Sequence, residues 1–201
     1  MSPVVTISAS YGAGGSWVGP EVAERLGSRF IDRAIPVQVA ERLDVPVQHA
    51  ELHDEAAAPG FTRLLARLPN TSGVVVPEAT TDTFCRETER LLAEAADEGD
   101  VVVLGRAGAI VLRDRPGALH VRLDGPAEAR VLQAMRFEEI DEVQARRRQR
   151  SSDRARMHYV KHFYRADPRD PCHYHLVLDS TAVALRTCVE LIVAAARAHA
   201  S

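Results

Sequence analysis

Short apolar runs alternate along this chain with stretches of helical periodicity. Val4, Val5 and Ile7 form a β-branched run around Thr6, and a cluster of glycines, Gly12, Gly14 and Gly15, follows it. From Ser16 the period changes, with Val18, Val22 and Leu26 recurring every four residues until Gly27, which stands in the place of a helix C-cap. The predicted order is strand, glycine loop, helix. Residues 29–32 read as a second short strand, and 35–43 and 61–68 as two helical pieces in a polar, proline-interrupted region. Residues 81–97 carry Phe84, Thr88, Leu91, Leu92 and Ala95 on one helical face, closed by Gly99. The all-apolar run 101–104 suits a central parallel strand buried on both faces, and 119–123 repeats it after the Pro116-Gly117 turn. A charged helical stretch over 127–164 follows, then a strand over 174–178. A helix over 181–199 comes last, with Leu185, Val189, Ile192 and Ala196 on its core face.

This alternation predicts a three-layer α/β fold, a five-stranded parallel sheet flanked by helices, in a single domain over residues 1–201. In such sheets ligands sit at the carboxyl ends of the strands, where the glycine loop falls. At 201 residues and 46% hydrophobic, the chain can bury one sizeable core without needing a second domain. Aromatic residues are only 5%, and the apolar set is mostly Val, Leu, Ala and Ile, which suits a helix-covered sheet rather than a base-stacking surface.

Charge narrows the choice of partner. A net charge of -3 argues against a protein that coats nucleic acid or a membrane surface. Yet Arg146, Arg147, Arg148, Arg150, Arg154 and Arg156 crowd one stretch, and Lys161 is the only lysine in the chain. Cys85, Cys172 and Cys188 are odd in number with no close pair, which predicts a reducing compartment, the cytoplasm. The beginning of the chain has no signal-peptide pattern and no apolar run reaches membrane-spanning length, so no membrane partner is expected.

A glycine turn between strand and helix is an anion site, because its amides converge on a phosphate and the helix adds a positive N-terminal dipole. Tyr11, Gly12, Ala13, Gly14, Gly15 and Ser16 occupy that place, although a ligand-free tight turn would use the same glycines. The standard phosphate loop ends in Gly-Lys-Ser/Thr, its lysine reaching the outer phosphates and its hydroxyl holding Mg²⁺. Here the lysine's place holds Gly15, followed by Ser16 and Trp17.

Several stretches resemble one family, in order along nearly the full length. Thr6-Ile7-Ser8, the loop from Tyr11 to Gly15, the helix end Ala23-Glu24-Arg25-Leu26-Gly27 and Phe30-Ile31-Asp32 resemble the opening of the cytidylate-kinase-like family, whose loops also lack the usual lysine. Gly105-Arg106 after an apolar strand, the stretch from Pro116 to Leu123 with the helix from Pro126, and Leu176-Val177-Leu178-Asp179-Ser180-Thr181 are similar to later parts of it. The resemblance implies a P-loop kinase-like domain with an acceptor-binding insert around residues 33–80 and a lid around 138–170. It implies transfer of the γ-phosphoryl group of ATP, with Mg²⁺, to a small phosphorylated acceptor such as the nucleoside monophosphate CMP. Residues 11–16 would hold the donor phosphates, Arg106 would face the acceptor, and Asp32 would contact the acceptor or a metal-bound water. A buried arginine paired with Asp or Glu at 106, and a helix N-cap or surface turn at 32, are the alternatives that stay open. True cytidylate kinases place acids on both sides of the glycine-arginine pair, where this chain has Leu104 and Ala107.

Asp153-Arg154-Ala155-Arg156 resembles the arginine motif of the family's lid. Guanidinium forks in a closing segment can neutralise a transferring phosphoryl group, so Arg150, Arg154 and Arg156 are candidate catalytic groups. A solvated helix face would also carry such a run. If transfer needs an ammonium, Lys161 must supply it, and it lies just beyond the lid arginines in the aromatic-flanked position typical of the family. His158, His162, Cys172, His173 and His175 match no standard zinc spacing, and no metal ligand is assigned among them. Asp179-Ser180-Thr181 reads as the cap of the last helix. Two other functions stay open: a regulatory module that binds nucleotide without turnover, and RNA binding through the arginine stretch. Oligomeric state is also open, a homodimer included.

Overall fold

The computed structural model describes residues 3–32 and 78–199. The predicted helical pieces at 35–43 and 61–68, and most of the predicted insert, lie outside these residues. Five strands, β1 (Val4–Ala9), β2 (Arg29–Ile31), β3 (Val101–Leu104), β4 (Ala118–Asp124) and β5 (Leu176–Asp179), form one sheet in the order β2-β3-β1-β4-β5. Every pairing is parallel. β1 is central, with Val4 to Ile7 opposite Val101 to Leu104 on one side and Val4 to Ala9 opposite Ala118 to Leu123 on the other.

Successive residues of a strand face opposite sides of a sheet, so the unbroken apolar runs serve two cores. Val5, Ile7, Val102, Val121 and Leu123 point into one, against Val18 and Val22 of α1 (Gly15–Leu26) and Val189 and Ile192 of the C-terminal helix. Val4, Val101 and Val103 point into the other, against Leu92, Ala95 and Ala96 of α2 (Glu78–Glu98) and Leu112. A short helix, α3 (Gly108–Val111), follows β3, as the apolar run leading into a helix predicts. No helix among the described residues is long and apolar enough to cross a membrane.

The predicted helix over 127–164 is two helices, α4 (Ala127–Glu138) and α5 (Glu142–Tyr164). Glu139 takes a left-handed conformation at φ 52°, and the Asp141 carboxylate accepts the Gln144 amide at 2.8 Å, capping the second helix. The last helix, α6 (Leu185–His199), begins four residues later than the pattern suggests. Asp179 Oδ1 takes the amides of Thr181 and Ala182 at 2.9 and 3.2 Å, which holds them in a turn in front of the helix.

Because the chain leaves β1 on one side for β2 and returns on the other for β4, the carboxyl end of β1 is a topological switch point. The glycine loop emerges there. α4 and α5 pack on each other through Val131, Ala134 and Ala145, and Tyr11 of the loop closes that small cluster.

Candidate active site

The loop is held from behind through its carbonyls. Arg130 Nη1 donates to Tyr11 O at 2.7 Å, Gln133 Nε2 to Gly12 O at 2.9 Å and Ser180 Oγ to Ala13 O at 2.7 Å. Gly14 O accepts the amides of Trp17 and Val18, opening α1. In a trans peptide the N–H of the next residue points opposite to the C=O. Fixing these carbonyls therefore turns the amides of Gly12, Gly14 and Gly15 to the other side. Together with Ser16 N, they have no hydrogen-bond acceptor among the described residues. Gly12 and Gly14 both sit at φ 77°, and a Cβ on Gly12 would lie 2.2 Å from Arg130 O, so the shape depends on glycine. Unclaimed amides at a helix N-terminus, at the carboxyl end of a central strand, form a cradle for an anion.

Two arginine–carboxylate pairs brace this cradle. Arg130, whose side chain is only 10% exposed, contacts Asp153 Oδ2 at 2.8 Å, and Asp153 Oδ1 accepts the Tyr11 amide at 3.0 Å. One carboxylate of α5 is thereby tied to both the loop and α4. Arg122 donates to Asp124 Oδ2 at 2.6 Å, to Ser10 Oγ at 2.9 Å and to Pro168 O at 2.8 Å. Burial alone would raise the Asp124 pKa, but the Arg122 hydrogen bonds and charge, with help from Ser10 and the Gly125 amide, hold it below the usual carboxylate range. The Tyr11 hydroxyl donates to Glu138 at 2.7 Å; burial first, then that carboxylate, pushes its pKa up to about 12 and keeps it protonated.

Arg156 reaches Asp153 at 3.5 Å with about half of its side chain exposed, at 49%. Surrounding protein lowers its pKa; Asp153 raises it, Arg122 and Arg130 lower it, and Asp32 raises it. Asp32, in the bend after β2, is thereby electrostatically linked to the charges beside the loop. Arg156 remains a cation at neutral pH because a guanidinium titrates far above it.

The structure thus brings residues 11–16, Arg156 and Asp32 into one region. Arg106, in a left-handed turn at φ 56° after β3, is close enough to Tyr159 of α5 to lower that hydroxyl's pKa, although burial raises it overall. Arg150 and Arg154 are exposed on α5, one helical turn apart, and take no ion-pair partner among the described residues. Lys161 is exposed in the last turn of α5, where its charge helps lower the Asp167 pKa, a minor contribution beside the Arg169 hydrogen bonds. Leu104 packs toward Gly15 and Ala107 begins the short α3, so neither expected acid position carries a polar group.

Sequence reasoning missed Arg130, Gln133, Arg122, Asp124 and the loop contact of Ser180. The spacing of Asp124, Arg130 and Gln133 around a strand-to-helix turn was visible, but nothing local indicated that they reach back to a loop over 100 residues earlier. Asp153, which the sequence places at the head of the lid-like arginine motif, is the residue that joins α5 to the loop.

A parallel sheet in this order, with an amide cradle after its central strand, defines the P-loop kinase fold. In solved structures the chain is similar to an uncharacterized protein from Eubacterium ventriosum (TM-score 0.69, 17% identity, covering 97% of this chain and 98% of that one). It is also similar to shikimate kinase from Acinetobacter baumannii (TM-score 0.53, 16% identity, covering 98% and 94%). The cytidylate kinase-like family matches residues 4–182, and the chain belongs to that family. Among curated proteins it is similar to the cytidylate kinase of Methanopyrus kandleri, 34% identical over 103 residues, 47% of this chain. The match spans about half of that relative, 53% of its length.

Proposed function

We propose that this protein transfers the γ-phosphoryl group of ATP to a small phosphorylated acceptor, a nucleoside monophosphate such as CMP. The observation that carries the reading is the set of unclaimed amides at Gly12, Gly14, Gly15 and Ser16, backed by carbonyls that are all engaged. That arrangement fits a polyphosphate, whose oxygens are acceptors only. Arg156 supplies a half-exposed guanidinium beside the cradle for the charge that spreads over the transferring group. Arg150, Arg154 and Lys161 belong to the same helix and would be delivered to the phosphates by movement of a lid around residues 138–170. Arg106 and Asp32 face the acceptor. Mg²⁺ would neutralise phosphate charge. Asp124 and Asp153 are already committed to Arg122 and Arg130, so the ion would be held mainly by phosphates and water. The protein acts as a soluble cytoplasmic enzyme.

A second reading, nucleotide binding without turnover, rests on Gly15 in the lysine's place and on Leu104 and Ala107 beside the arginine. Incubation with Mg-ATP and a panel of nucleoside monophosphates separates the two. Diphosphate products are expected; tight ATP binding with no product on any acceptor would favour the second reading. Lys161→Met is expected to lower turnover at least tenfold while leaving ATP affinity within about twofold, roughly 1.4 kcal/mol or more in the transition state alone. Unchanged turnover would remove Lys161 from the mechanism.

A further inference from the structure

The loop between α5 and β5 holds a mixed donor set on one turn, a short 3₁₀ helix at Pro171–His173. The Asp170 carboxylate, Cys172 sulfur and His173 imidazole each present a ligand atom, and these atoms all lie within 4.8 Å of one another. Cys172 Sγ is 3.9 Å from His173 Nδ1. A tetrahedral Zn²⁺ with bonds of about 2.3 Å to sulfur and about 2.0 Å to nitrogen needs these two donors roughly 3.5 Å apart, so a small side-chain adjustment closes the chelate. Pro171 fixes the backbone between the carboxylate and the thiol. Among the described residues this is the group of His, Cys, Asp and Glu donors that gathers in this way. His158 and His162, which the sequence also brings together, contribute stacked rings 5.9 Å apart and no third donor.

We propose that Asp170, Cys172 and His173 form a surface site for a borderline divalent metal of the Zn²⁺ class, with one coordination position left to water. The donors decide the class. One sulfur and one imidazole favour Zn²⁺ or Cd²⁺ over Mg²⁺ and Ca²⁺, which take oxygen. The site is separate from the nucleotide cradle and does not depend on the kinase reading. It is nevertheless connected to that cradle. Pro168 O, three residues before the turn begins, accepts hydrogen bonds from Tyr174 at 2.7 Å and from Arg122 at 2.8 Å, and Arg122 also holds Ser10 at the start of the loop.

Cd²⁺ titrated into the reduced, metal-free full-length protein reports the site, because a thiolate-to-cadmium bond gives an ultraviolet charge-transfer band. The expected result is a band that saturates at about one metal per chain, disappears in Cys172→Ser, and shows affinity reduced by about tenfold or more in His173→Ala and Asp170→Asn. All three positions are exposed or half-exposed, and matching thermal unfolding curves would show that each variant folds. Failure to see a band in the wild type would overturn the site. So would a band persisting in Cys172→Ser, which would belong to Cys85 or Cys188. Affinity unchanged in both His173→Ala and Asp170→Asn would reduce it to a lone thiol, and that too would overturn the proposal.

Discussion

Arg130 ties three places together with one side chain: Tyr11 O in the loop, the Gly125 carbonyl in the turn after β4, and Asp153 of α5. Removing it strands a carboxylate that also accepts the Tyr11 amide, and losing one partner of a largely buried ion pair typically costs about 2–5 kcal/mol. Arg130→Ala is therefore expected to be destabilised by that amount in chemical denaturation. Arg130→Ala with Asp153→Asn should lose clearly less than the sum of the two single changes. Strict additivity would show that the pair is not coupled. Gly12→Ala tests the loop's shape. Its new methyl meets Arg130 O at 2.2 Å in a left-handed backbone, so a loss of about 1–3 kcal/mol is expected, with a midpoint lowered by roughly 2–10 °C. A variant as stable as the parent would mean that the loop is free to reshape.

At the scale of elements, β4, β5 and α6 meet at a ladder of three imidazoles. His120 is buried in β4, takes Thr6 Oγ1 at 2.8 Å, and stacks on His175, which lies 5.0 Å from His199. Burial first, then the charge of His175, lowers the His120 pKa to about 4, against smaller opposing help from the Leu112 carbonyl. The folded pKa is below the unfolded one, so the unfolded chain takes up a proton that the folded chain refuses as pH falls below about 6.5. Stability should therefore decline from that point down to about pH 4, by roughly 1.4 kcal/mol per pH unit at most. Denaturation at about pH 7 and pH 5 should differ by about 2 kcal/mol, and His120→Gln should remove most of that difference; an unchanged slope in the variant would contradict it. Little of this ladder was legible beforehand. The strands β1 and β3 were, because the apolar runs from Val4 to Ile7 and from Val101 to Leu104 are written locally. The break at Glu139 was not, since the Asp141 cap competes with an otherwise continuous helical pattern. The late start of α6 depends similarly on Asp179 and on Ser180 reaching Ala13.

On the scale of the whole molecule, the glycine loop and its place between the first strand and a helix could be read from the sequence, and so could the family; that this first strand is the central one emerges only in the sheet order. Its bracing could not, because Arg130, Gln133 and Ser180 come from the second half of the chain and meet the loop only in three dimensions. Those contacts turn a glycine run into a fixed set of donors. The most direct measurement is the backbone amide spectrum of isotope-labelled protein during titration with Mg-ATP. The largest shifts, saturating together, are expected on Gly12, Gly14, Gly15 and Ser16, whose N–H groups gain phosphate acceptors. Saturable ATP binding that leaves those four amides unmoved, or no binding at all by the folded protein, would contradict a phosphate cradle there.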